Sequence, residues 1–295
     1  VRSSITPEIE KILSDDFLEL VKDGAHGFQI DKLCVAARLD FNPLNTMKPD
    51  VALYEGLIQA IDRLNQQCTA INPEFRMASE FGYDRLIPYF DVGYRNAAGL
   101  DVSTFKYVFP EWTSCMHVSM PGDFRTVNAA VMTGSVIVIE PRSYQSSMAD
   151  PLYKKISEYI REVERIRKEL KKVIFTGEYY DELDAEVFGV IKEASIDSDG
   201  TTDIAVPGQM PGTGASAGDV KPASLHYKVH GEKNNGRRAI VVMNDSEIPI
   251  KYTWKFTYKD VMKAKLYIPF GVTKTIEQGD ILEIDGNQIH IIVEE

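Results

Sequence analysis

Cysteine is scarce in this chain: 295 residues contain three, Cys34, Cys68 and Cys115. An odd number, wide spacing and no CxxC pair exclude a disulfide framework and a thiolate-bound structural zinc. Histidine is nearly as sparse. His26, His117, His226, His230 and His290 show neither HxH nor HExxH spacing, so no metal centre of the zinc type is expected, while magnesium held by carboxylates alone stays open. A phosphate-cradling loop is also missing: Gly208 to Gly218 is glycine-rich but lacks the following Lys-Ser/Thr, so it reads as a loop and no cofactor is expected. No apolar run is long enough to span a bilayer, and no charged-then-apolar leader opens the chain. A soluble protein without a membrane partner is expected, cytoplasmic or secreted after removal of a leader. Positive charge is in short supply, with 33 Lys and Arg against 44 Asp and Glu and a net charge of -11. Such a balance repels phosphate backbones, and the basic residues between Arg161 and Lys172 are interleaved with acids, so they read as a solvated helix face and nucleic acid is not an expected partner.

Apolar residues make up 44% of the chain, enough for a large domain with a smaller one. The opening segment reads as a helix, with Thr6 as N-cap, Pro7 in the first turn and Ile9, Ile12, Leu13, Leu20 and Val21 on one face. Gly24 and Gly27 end it and lead into a strand, Phe28 to Leu33. A second amphipathic helix from about Pro49, carrying Tyr54, Leu57, Ile58, Ile61 and Cys68, precedes a strand at Phe75 to Ser79. Helix-strand-helix-strand is the order of a parallel sheet. Tyr83 to Asn96 reads as a helix or lid, Phe105 to Phe109 as a third strand, Phe124 to Met132 as a helix and Ser135 to Ile139 as a fourth strand. From Pro151 to Val173 a charged helix buries Ile156, Tyr159, Ile160, Val163, Ile166 and Leu170. Beyond Gly177 the character changes. Runs such as Tyr252, Trp254 and Phe256 alternating with Lys251, Thr253 and Lys255, with turns at Asn244-Asp245, Gly279-Asp280 and Asp285-Gly286, predict an antiparallel β-sandwich.

The fold class expected is therefore α/β, a partial (β/α)8 barrel over residues 1-175 followed by a β-sandwich over 176-295. About four strand-helix units are legible where a closed barrel needs eight. Val1 also falls inside a helix that would ordinarily follow an earlier strand. The expectation is the carboxyl-terminal half of a larger enzyme, completed by its amino-terminal half or by a partner chain. A free-standing open α/β sheet is the rival.

Two acidic residues close the first two strands: Asp31 after Gly27-Phe28-Gln29-Ile30, and Glu80 after Phe75-Arg76-Met77-Ala78-Ser79. On neighbouring parallel strands they open onto the carboxyl-end face of the sheet, where barrels keep their chemistry. Retaining glycoside hydrolysis needs such a pair, one ionised carboxylate to attack the anomeric carbon and one carboxyl to protonate the leaving oxygen. Asp31 is short and followed by Lys32, which would keep it ionised. Glu80 has reach and apolar neighbours in Phe75, Met77, Phe81 and Tyr83. The plainer readings are a turn cap for Asp31 and an ion pair with Arg76 or Arg85 for Glu80. Glu111 and Glu140 are candidates for accepting sugar hydroxyls, Trp112 for stacking on a pyranose or filling the core, His117 for binding substrate or a structural bond, and Arg142 for a hydroxyl or an acidic neighbour. Asp84 and Asp91 are read as a lid or a solvated helix face.

Gly27-Phe28-Gln29-Ile30-Asp31-Lys32, Ala78-Ser79-Glu80-Phe81-Gly82 and Tyr107-Val108-Phe109-Pro110-Glu111, with Thr176 to Asp181 at the junction into the sandwich, resemble the retaining α-glycoside hydrolases related to α-galactosidases and endo-α-N-acetylgalactosaminidases. The resemblance implies a TIM barrel with its nucleophile on the fourth strand, an all-β domain after it, and a carbohydrate substrate with an α-linkage. It is similar to the α-N-acetylgalactosaminidase branch if Glu80 is the acid/base. The α-galactosidase branch uses an Asp on the sixth strand, where this sequence has Glu111. The alternative function is a non-catalytic carbohydrate-binding or assembly protein derived from that fold.

Overall fold

The computed structural model describes residues 7-30, 39-43, 47-80, 84-94, 104-110, 112-141, 147-190 and 224-295. The chain divides into two compact units, Val1–Ala97 with Trp112–Cys115, and Ala98–Glu111 with Met116–Glu295.

In the first unit, α1 (Pro7–Lys22) precedes β1 (Gly27–Ile30), and α2 (Ala52–Ile71) precedes β2 (Arg76–Ser79). The apolar spacing read in the sequence is realised as packing: Val21 of α1 and Ile58, Ile61, Leu64 and Cys68 of α2 close over Phe75 and Met77. Phe28 stacks between Phe17 and Phe75, with ring centroids 4.7 and 5.3 Å away. Arg63 of α2 grips Glu10 of α1 through two bonds of 2.5 and 2.7 Å.

Two segments differ from the sequence reading. Within Tyr83 to Asn96, a 3-10 turn (Asp84–Tyr89) leads into β3 (Val92–Tyr94). Pro88 inside the turn removes a donor that an α-helix needs. Asp91 is a strand-entry residue, its carboxylate accepting from Met77 N at 3.0 Å and lying 3.6 Å from Arg76 Nε. The expected strand Phe105 to Phe109 is instead a short helix, α3 (Thr104–Val108), and the strand follows it as β4 (Thr113–Val118). A five-residue run carries too few residues to separate a period of 2 from one of 3.6; Lys106 is buried on this helix. Its ammonium donates to the Pro110 and Phe175 carbonyls at 2.6 and 3.3 Å. Burial, then the nearby Arg167 and Lys233 charges, lower its pKa to about 8.

The division between units falls within β4. The parallel sheet runs in the order β1-β2-β3-β4-β5, where β5 is Val136–Ile139, and α4 (Phe124–Met132) connects β4 to β5. α5 (Lys154–Glu169) then continues through a π turn (Lys171–Phe175). All six residues of its predicted stripe are buried.

The all-β region contains a six-stranded antiparallel sheet, ordered β12-β11-β14-β9-β8-β6, and a three-stranded one, β13-β10-β7. Their strands are β6 (Glu178–Asp181), β7 (Ala185–Gly189), β8 (Leu225–Gly231), β9 (Arg238–Asn244), β10 (Ile250–Phe256), β11 (Lys263–Tyr267), β12 (Lys274–Glu277), β13 (Leu282–Ile284) and β14 (Gln288–Glu294). The two sheets share a core that contains Tyr252, Trp254, Val187, Ile240 and Val242. On the other face of the large sheet, Ala239, Val241, Met243, Ile289, Ile291 and Val293 pack against Val127 and Val131 of α4 and the buried stripe of α5. β9 is thus covered on both faces, which explains its unbroken Ala239-Ile240-Val241-Val242-Met243 run where a one-sided strand would alternate.

Candidate functional site

β1 and β2 pair in parallel with Gly27 opposite Arg76, Phe28 opposite Met77, Gln29 opposite Ala78 and Ile30 opposite Ser79. The Glu80 amide donates to the Ile30 carbonyl at 3.2 Å, so the ladder holds to the last residue before each acid. Glu80 follows β2 directly, and in the sequence Asp31 follows Ile30. Asp31 and Lys32 lie outside the described residues, as do Glu111 and Arg142.

Glu80 is 5% exposed. Arg76 approaches Asp91, and Arg85 forks onto both oxygens of Glu55, one bond measuring 3.0 Å.

A second acid stands at the carboxyl end of β5. The Glu140 amide donates to Val118 O of β4 at 3.0 Å, and its carboxylate lies 2.8 Å from His117 Nδ1. The imidazole is held in β4 with little exposure while Glu140 stands half open to solvent. The loop after β4 is ordered by Asp123, whose carboxylate accepts from Ser119 N and Met120 N, both at 2.7 Å. Tyr153 caps the same loop by donating to Ser119 O at 3.1 Å. Asp123 went unnoticed in the sequence, although Pro121-Gly122-Asp123 is a turn signal of the kind in which an Asp side chain binds nearby amides.

Trp112 stands before β4, at the amino end of that strand, 7% exposed, and its indole donates to Phe90 O at 3.0 Å. Glu111 precedes it in the chain. The strand expected to precede these two, Phe105 to Phe109, is instead the helix α3.

Cys68 and Cys115 are free and buried. Among the described residues no group of three His, Cys, Asp or Glu is placed to hold a metal ion, and no helix is long and apolar enough to cross a membrane.

No protein-family model and no curated protein matches the sequence. Solved structures do match the fold. An Anoxybacillus α-amylase aligns with 99% of this chain and 64% of its own, at a TM-score of 0.54 and 9% identity. A maltogenic α-amylase from Thermotoga neapolitana aligns over 98% and 66%, at 0.55 and 9%. A Bacillus licheniformis trehalose-6-phosphate hydrolase aligns over 98% and 69%, at 0.53 and 9%. At such identity the likeness is one of fold: an α/β barrel segment followed by a β domain, of the kind found in α-amylase-type glycoside hydrolases. The chain spans slightly less than two thirds of the first of these structures. The α-galactosidase group named from the sequence is not among the three; what this chain shares with them is the fold.

Proposed function

We propose that this chain is part of a retaining glycoside hydrolase acting on an α-linked sugar, with Asp31 as nucleophile and Glu80 as general acid/base. The observation that carries the reading is the equal register of β1 and β2, which makes the two acids the next residues past the paired Ile30 and Ser79. Asp31 attacks the anomeric carbon as the bond to the leaving oxygen breaks, and Glu80 gives that oxygen its proton. A glycosyl ester on Asp31 results. Glu80, now ionised, takes a proton from water, whose oxygen attacks the same carbon and frees Asp31. Two inversions restore the starting configuration.

Lys32 would keep Asp31 ionised, and Glu140, oriented by His117, would accept a hydrogen bond from a sugar hydroxyl. Residues 1-175 form the carboxyl-terminal half of the barrel and 176-295 the sandwich domain. The remaining strands come from the amino-terminal half of the same enzyme or from a partner chain. Five parallel strands against the eight of a closed barrel support this, as does coverage of 64-69% of the matched structures. Whether the sugar is of the α-galactoside type suggested by the sequence or of the α-glucoside type implied by the fold relatives is decided by assay.

In the complete protein, Asp31→Ala is expected to remove nearly all turnover and Glu80→Gln to lower it by about 10²- to 10⁴-fold on substrates with poor leaving groups, with unchanged circular dichroism. Ordinary turnover by a folded Asp31→Ala protein overturns the assignment.

A further inference from the structure

A cavity of about 390 Å³ lies in the second unit, lined by Phe124, Lys155, Glu158, Tyr159, Phe270, Gly286, Asn287 and Gln288. None of the residues assigned to catalysis lines it. From its chemistry we infer a second, non-catalytic sugar-binding site, with Phe270 as the platform for a pyranose ring. This rests on the reading of the protein as one that handles carbohydrate.

The aromatic side of the cavity is built in advance. Tyr159 is fixed by its hydroxyl, which donates to Asn128 Oδ1 at 2.6 Å, and Phe124 packs against it edge-on with centroids 5.3 Å apart. Phe270 lies 6.3 Å from Tyr159 and is 60% exposed. Its backbone is unusual for its type. Gly271 N donates to Ile268 O at 3.0 Å, closing a turn with Pro269 second and Phe270 third, and Phe270 has φ +61°. That third place belongs to glycine or asparagine in turns that need a positive φ. A bulky aromatic there is strained, and strain of this sort concentrates at ligand sites. Val272, two residues on, is 85% exposed, so the tip of this loop offers apolar surface to solvent.

On the polar side the backbone at Asn287 is fixed. Asn287 N donates to Ser246 O at 2.8 Å, and Asn287 O accepts from Asn128 Nδ2 at 3.0 Å. Gly286 is required because a Cβ there would meet the Glu247 carbonyl oxygen at 2.3 Å. Asn287, Gln288 and Glu158 present amide and carboxylate groups, and Lys155 an ammonium. One cation offsets one anion, so the lining favours a neutral polyol over a phosphate. The other cavity described in this unit, about 300 Å³ beside β5, carries Arg167, Lys168 and Lys171 against Glu164 and lacks that balance. A ring face for sugar C–H groups beside amides and a carboxylate for hydroxyls is the complement of a pyranoside.

The test titrates the complete protein, carrying Glu80→Gln to stop turnover, with maltoheptaose and separately with raffinose in a calorimeter. Phe270→Gly is expected to weaken one class of site at least about tenfold, to leave the unfolding midpoint at or above that of the parent, and to leave turnover of a small aryl glycoside by the Glu80-containing protein unchanged. Phe270→Tyr is expected to keep binding. The inference is overturned if neither sugar binds, if Phe270→Gly binds as the parent does, or if Phe270→Gly lowers stability, which marks a packing residue. Sugar binding that depends on Phe270 in a protein without hydrolysis leaves this site standing and removes the catalytic reading. Hydrolysis with binding indifferent to Phe270 does the reverse.

Discussion

Burial of two imidazoles sets how the stability of this chain responds to pH. Glu80 and Glu140 sit at strand ends, whereas His230 and His290 are sealed into the β region. His230 Nε2 lies 2.9 Å from Met132 O, beside the Tyr179 ring, and His290 Nδ1 is 2.8 Å from the Tyr252 hydroxyl. Burial, with Lys106 and Arg167 near His230 and Lys274 near His290, holds both imidazoles down to about 4. In the unfolded chain they return to about 6.5. Between those values the unfolded state binds more protons, so their contribution to stability is complete above about pH 6.5 and is lost as pH falls toward about 4. Urea midpoints are expected to drop steadily from pH 7 to pH 4.5, and His290→Gln to flatten that slope. An unchanged slope in the variant contradicts the assignment.

At the scale of elements, long periodic segments were legible and short ones were not. α4 runs over the predicted Phe124 to Met132, and the α5 stripe is buried as its spacing requires, because a 16-residue helix of consistent phase leaves little choice of face. β3 has three residues and a central glycine, and β4 reads Thr-Ser-Cys-Met-His-Val, with only Thr113 and Val118 β-branched. Neither pattern announces a strand, so Phe105 to Phe109 drew the assignment instead. The end of β2 at Ser79 was readable because Glu80 directly follows an apolar run. The Phe270 cavity was not, since its lining comes from four places more than a hundred residues apart at the extremes, brought together by α5 lying on the large sheet. That packing carries its own prediction. Ile166 is 1% exposed at the centre of the α5 stripe, and Ile166→Ala is expected to cost about 2-5 kcal/mol. Gly177→Ala is expected to be at least as harmful as a typical overpacked site, about 1-3 kcal/mol, because its Cβ would meet the Gly231 and Val173 carbonyl oxygens at 2.2 Å. Chemical denaturation of both variants measures this, and a loss below about 0.5 kcal/mol in Ile166→Ala contradicts the packing.

For the molecule as a whole, the proposed function makes the parallel sheet part of a sugar-cleaving barrel. The acidic balance of the chain fits a neutral substrate and disfavours a polyanion. Under the proposed function Asp31 and Glu80 are neighbours along the rim of that sheet, and a retaining mechanism sets how far apart their carboxyl groups must be. The measurement that decides this is their separation in a crystal structure of the complete protein with the sugar bound. The account predicts about 5-5.5 Å, with both groups on one pocket. A separation of about 6.5-9.5 Å would mark an inverting enzyme, and carboxyl groups on opposite faces of the sheet would contradict the catalytic assignment outright.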